Sequence, residues 1–260
     1  MLDNKNPLAR PKRIEGLSDY LNADEAQLRV GRLHSSVLMD PGKALPFFKT
    51  FKEYYPASPH ADTAESLGKV IEKNMDDDPA ALLAYLKAEE LRVAGKGQEA
   101  KGALEALVKG SPGHPLSALA WMKIGDIQFY DEKNTDGALE SYEKACSGDT
   151  NEETCKAYYQ MAECHRVQKQ WKKAVESYGQ YLMESGSKFR VDFAKFFMAS
   201  CHEHLGHWDE ACTSYEMVAD MAKSYYKEKA RERLVEIRRH QQAGTLHLLE
   251  KTLEVREAEA

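Results

Sequence analysis

"SCHEHLGHW" (residues 200–208) places one cysteine and three histidines within nine positions, and so poses a choice between metal site, catalytic pair and something else. Thirty-seven residues earlier stands "ECHRVQKQW" (163–171). Cys164 matches Cys201, His165 matches His202 and Trp171 matches Trp208. The flanks continue the match: Met161 and Ala162 pair with Met198 and Ala199, Ala174 with Ala211, and Tyr178 with Tyr215. The stretch is one copy of a repeat, and a repeat period decides the architecture before any motif does.

Stepping back from Ala199 by the same interval meets Ala162, Gly125 and Ala88, all small. A second small position recurs at Ala100, Ala138, Ala174 and Ala211, followed four residues on by Leu104, Tyr142, Tyr178 and Tyr215. Small residues let two helices approach, and the larger one fills the space a turn later. Apolar residues recur at three- and four-residue steps, as at Trp121, Ile124 and Ile127. Breakers separate the helices at 94–97 (AGKG), 131–137 (DEKNTDG) and 205–209 (LGHWD). Asp-Pro at 40–41 and 78–79 supplies an N-cap and a first-turn proline. No alternating Val/Ile-rich run suggests a strand, so the expected class is all-α.

These units resemble tetratricopeptide repeats, whose signature is W-x2-L-G-x2-Y, then A-x3-F, then Pro. Trp121, Ile124, Gly125, Ala138 and Tyr142 carry the likeness best. Tyr158, Met161, Ala162, His165, Ala174 and Tyr178 follow, then Met198, Ala199, His202, Ala211 and Tyr215. An earlier copy has Ala88, Leu91, Ala100, Leu104 and Pro112, and a partial one has Ala44, Phe48 and Pro56. The period departs from the usual 34, and a helix at about 60–75 falls outside the pairing. "FKEYYPASPHADTA" (51–64) also resembles tetratricopeptide proteins of the bacterial cell envelope, of the outer-membrane assembly lipoprotein and Tol-Pal accessory types. The resemblance implies an α-solenoid of helix–turn–helix repeats, a right-handed superhelix with a C-terminal cap. The expected organisation is a basic arm at 1–20, N-terminal helices with the partial repeat at 21–76, four repeats at 77–221 and capping helices at 222–260.

In this register Cys164, His165, Cys201 and His202 are packing positions. Neighbouring helices lie about 8–10 Å apart, whereas a disulfide needs Cα atoms within roughly 7 Å, so no bridge is expected. His202 and His204 point about 160° apart on a helix, which does not make a ligand set. Nothing supplies the orienting group that an activated nucleophile needs. A metal-dependent sensor or an enzyme is the rival class, and the expectation is no catalytic residue, no metal and no cofactor. The formal charge of −6 gives no basic face for nucleic acid. No apolar run is long enough to span a bilayer. The N-terminus has basic residues without an apolar core segment and does not read as a secretory signal. The expected compartment is cytoplasmic, or periplasmic if a signal preceded the chain.

The resemblance places first helices on the concave side of the array. One inward column then reads Tyr85, Met122, Tyr159 and Phe196. Four residues on it reads Glu89, Asp126, Glu163 and Ser200, and three further Arg92, Phe129, Arg166 and Glu203. Two readings stand: interhelical core, or a groove holding a protein segment with apolar anchors and basic residues. Family members that grip acidic C-terminal tails use Lys and Asn at inward positions that here read Met122 and Asp126, Tyr159 and Glu163, so no such clamp is expected. The expected function is a non-catalytic interaction scaffold or adaptor; a structural subunit held by its edges is the alternative. At the C-terminus, Leu234 and Ile237 are expected to pack on the last repeat. Leu246, Leu248, Leu249, Leu253 and Val255 form a further stripe that could join two copies of the chain.

Overall fold

The computed structural model describes residues 23–147, 154–184 and 190–259. These residues are helices and turns with no strand, and no helix among them is long and apolar enough to cross a membrane. The arm expected at 1–20 lies outside the described residues. The chain divides into two compact units, Met1–Ala120 and Trp121–Ala260. The division runs through the block expected at 77–221, inside one helix.

The first unit contains α1 (Ala23–Arg32), continued by a π-helical turn (Leu33–Val37), then α2 (Pro41–Lys49) and the short α3 (Phe51–Tyr54). It goes on to α4 (Ala61–Asn74), α5 (Pro79–Val93), α6 (Gly97–Gly110) and the start of α7 (Pro115–Asp126). Both Asp-Pro caps form. Asp40 accepts the Lys43 N–H at 3.0 Å, and Asp78 accepts those of Ala80 and Ala81, each at 3.0 Å. The helix that fell outside the repeat pairing, α4, packs on α2 and α3. Gly68 makes room for this: a Cβ there would lie 3.3 Å from that of Phe48. Phe48, Phe51, Ile71 and Leu82 are buried at the centre.

The second unit takes the end of α7, a π-helical turn (Ile127–Asp131) and α8 (Thr135–Cys146). It continues with α9 (Lys156–Val167), α10 (Trp171–Glu184), α11 (Val191–His204), α12 (Trp208–Ala219), α13 (Lys227–Ala243) and α14 (Leu246–Glu259). From α8 to α13 each helix packs on the next, as repeat hairpins do. The small positions sit at the closest approaches. A Cβ on Gly125 would stand 2.6 Å from the Tyr142 ring, a clash that forbids any side chain there without movement. The first-to-second small-residue interval is 12 positions for Ala162–Ala174 and Ala199–Ala211 but 13 for Gly125–Ala138. The extra residue is absorbed by the π turn at Ile127–Asp131, which keeps both small residues on the shared interface.

The cap forms as expected. Ala230, Leu234 and Ile237 of α13 join the core of the last hairpin, and Gly244 ends the helix in the left-handed conformation. The stripe of α14 divides: Leu249 is buried in the same core, with Leu246 and Leu253 packed against it, while Leu248 and Val255 face outward. Part of the surface expected to join two copies is therefore spent within the chain.

Candidate partner-binding surface

The apolar column does not line an open groove. Tyr85 is 4% exposed in the first unit; in the second, Met122 is 7% and Tyr159 5% exposed. The core reading of these side chains holds. Tyr159 meets the rings of Tyr178 and Tyr181, centroids 5.9 and 5.6 Å away, both on the second helix of its own hairpin. Phe196 is half-buried, stacked on Tyr226 at 4.2 Å and edge-on to Tyr215 at 5.3 Å. Large rings at this position reach sideways into the hairpin, where burial removes more apolar area from water than the open face would.

The carboxylates also turn inward. Asp126 Oδ1 accepts from the Tyr142 hydroxyl at 3.0 Å and from Gln160 Nε2 at 3.2 Å. Glu163 accepts from the Tyr178 hydroxyl and from Arg166, at 2.8 Å to Nη2. In the first unit Glu89 pairs with Arg92 at 3.2 Å. The third hairpin has Ser200 at this position and moves its carboxylate one turn on, to Glu203. That side chain is 3% exposed and accepts from the Tyr215 hydroxyl at 2.6 Å and from Arg233 Nε at 2.9 Å. Tyr142, Tyr178 and Tyr215 of the second helices thus each donate to a carboxylate on the first helix. Burial and the adjacent carboxylate push these three phenols far above their usual range. Asp126 and Glu163 of the acidic row expected to attract basic residues are engaged in holding their hairpins together.

The cysteines are free thiols. Burial pushes Cys164 and Cys201 up to about 12, so neither is a thiolate near neutrality. No three His, Cys, Asp or Glu side chains among the described residues converge in a way that could hold a metal. His165 and His202 each leave Nδ1 buried without a hydrogen-bond partner, and burial lowers both pKa values below the usual 6.5. The unfolded chain then takes up protons first as pH falls. Stability from these groups is complete above about pH 6.5 and is lost as pH drops through that value toward the folded pKa. Urea midpoints measured from pH 7.5 down to about 5.5 should fall, and the slope should flatten in a His165→Gln/His202→Gln variant. An unchanged slope would show that neither imidazole is held neutral.

What remains accessible on the first-helix face of the second unit is a different set. Tyr130 is 48% exposed, edge-on to half-buried Phe129 at 4.9 Å, and its hydroxyl donates to Gln160 Oε1 at 3.2 Å. The Arg166 guanidinium lies 4.7 Å over the Phe197 ring. Arg190 lies 5.2 Å from the Phe193 ring, and Phe193 stacks on Tyr225 at 6.3 Å. Tyr225 is 80% exposed. Of the expected contact residues, Phe129 and Arg166 belong here. Tyr130, Arg190, Phe193, Phe197 and Tyr225 are new. A signal for one of them existed: Lys123, Gln160 and Phe197 form the 37-residue column one position beyond the column chosen.

The family model described as anaphase-promoting complex, cyclosome, subunit 3 matches residues 131–218. No curated protein matches the chain in sequence. The crystal structure of MamA is similar over 66% of this chain and 97% of that one, at 17% identity and a TM-score of 0.50. The putative kinesin light chain TPR-like repeats of Podosopora anserina are similar over 68% and 96%, at 15% identity and a TM-score of 0.47.

Proposed function

We propose, from the premise that this chain is a tetratricopeptide-repeat protein, that it is a non-catalytic interaction scaffold whose second unit holds a segment of a partner protein. The observation that carries the reading is the exposed pair Tyr130 and Tyr225, linked by the half-buried Arg166, Phe197 and Phe193. Tyrosine gives large contact area for little lost rotamer entropy and arginine gives directional, forked bonds, and both are enriched at binding hot spots. A partner segment with apolar anchors fits this face. The basic residues first expected in that partner have no comparable support, because Asp126 and Glu163 already serve Tyr142, Tyr178, Gln160 and Arg166.

The test uses a photo-crosslinking phenylalanine at position 130, 225 or 172, in the source cell. Position 172 is an exposed lysine on the second helix of its hairpin. The expected result is one common partner at 130 and 225, absent at 172. Its affinity should fall about tenfold in Tyr225→Ala, the cost of one truncated aromatic anchor. The same adducts at 172, or no loss of affinity, would remove this face from the reading.

A further inference from the structure

A cavity of about 290 Å3 lies between the start of α10, the α11–α12 turn and α14. That volume stands at the lower end of the range for ligand pockets and has room for one long side chain. One wall is a flat double layer, the Trp171 indole stacked on the His204 imidazole with centroids 4.1 Å apart and planes 8° apart. The facing wall is α14, which presents Glu250 and Glu254 one helical turn apart. Glu203 closes the floor, its charge already met by Arg233. Glu250 accepts the Trp208 indole N–H at 3.4 Å, and Gly206, with φ +71°, puts no side chain into the space. Two carboxylate charges beyond the Glu203–Arg233 pair therefore face an aromatic wall across a gap of side-chain size.

We propose that this cavity is a docking pocket for a single arginine side chain of a partner protein. A guanidinium is flat enough to lie along the Trp171–His204 layer and forked enough to bond two carboxylates, and charge complementarity selects a cation. A side chain within a protein segment is favoured over free arginine, because the lining holds no Lys or Arg to receive that molecule's own carboxylate. The pocket is separate from the first-helix face and stands or falls independently of it.

The experiment is a titration of the full 15N-labelled chain with acetyl-Gly-Gly-Arg-Gly-Gly-amide, following the Trp171 indole N–H resonance. The expected result is a saturable shift that is absent with the neutral citrulline peptide. In Glu250→Gln/Glu254→Gln the apparent affinity should fall by about tenfold or more, because two charge-assisted bonds become neutral ones. Both glutamates are exposed, so the variant is expected to keep the wild-type amide spectrum. No saturation, or equal binding of the citrulline peptide, would overturn the pocket without reference to any variant. Equal binding of free arginine would overturn its assignment to a protein partner.

Discussion

Replacing Arg233 by methionine is expected to destabilise the protein by about 3–5 kcal/mol, the cost of leaving a buried charge without its partner. Glu203 is almost wholly buried, and Arg233 Nε stands 2.9 Å from each of its oxygens. The arginine side chain is 17% exposed, so water cannot take its place cheaply. The Tyr215 hydroxyl bonds the same carboxylate but brings no positive charge. The double variant Glu203→Gln/Arg233→Met removes the charge and keeps an acceptor for Tyr215. It should recover most of the loss, since a buried ion pair replaced as a unit is often near neutral. Urea unfolding of the two single variants and the double gives the coupling directly. A loss under about 1 kcal/mol in Arg233→Met would mean that Glu203 is solvated and that α13 is held by its apolar face and its other pairs, not by this one.

Tyr178→Ala should cost about 3–5 kcal/mol, and Tyr178→Phe only about 1 kcal/mol. The ring is fully buried, so alanine leaves a cavity in the closely packed α9–α10 interface. Phenylalanine keeps the packing and removes one donor from Glu163, which retains Arg166. Equilibrium unfolding separates the two cases. A phenylalanine variant as damaged as the alanine one would show that the tyrosine–carboxylate bond, not the ring, carries the hairpin. The same logic governs Tyr85, Met122 and Tyr159. Truncating them reads out as lost stability before lost binding, so exposed Tyr225 and Tyr130 are the informative positions for a partner.

The repeats were legible because they are local. A 37-residue period, small residues where helices touch and Asp-Pro at two helix starts depend on neighbours within a few turns, and Asp40 and Asp78 cap as their sequence implies. The thirteenth position between Gly125 and Ala138 was visible too, though only the helix geometry showed that it becomes a π turn.

The periodic columns identified which side chains share a face but not how deeply each is buried. Tyr159 and Phe196 share one inward column by register, yet Tyr159 is buried against Tyr178 and Tyr181 while Phe196 is only half-buried, stacked on Tyr226. The carboxylates posed the same difficulty. Sequence showed an acid moving from the Ser200 column to Glu203, and could not show that its partner is Arg233 on a helix outside the repeat register. Helix and hairpin follow from interactions between residues a few positions apart, so the chain alone determined the all-α repeat architecture. Burial and charge pairing arise between side chains 15 to 30 positions apart. Tertiary packing decided which groups are structural and which are left for a partner, because desolvation depends on everything that surrounds a side chain.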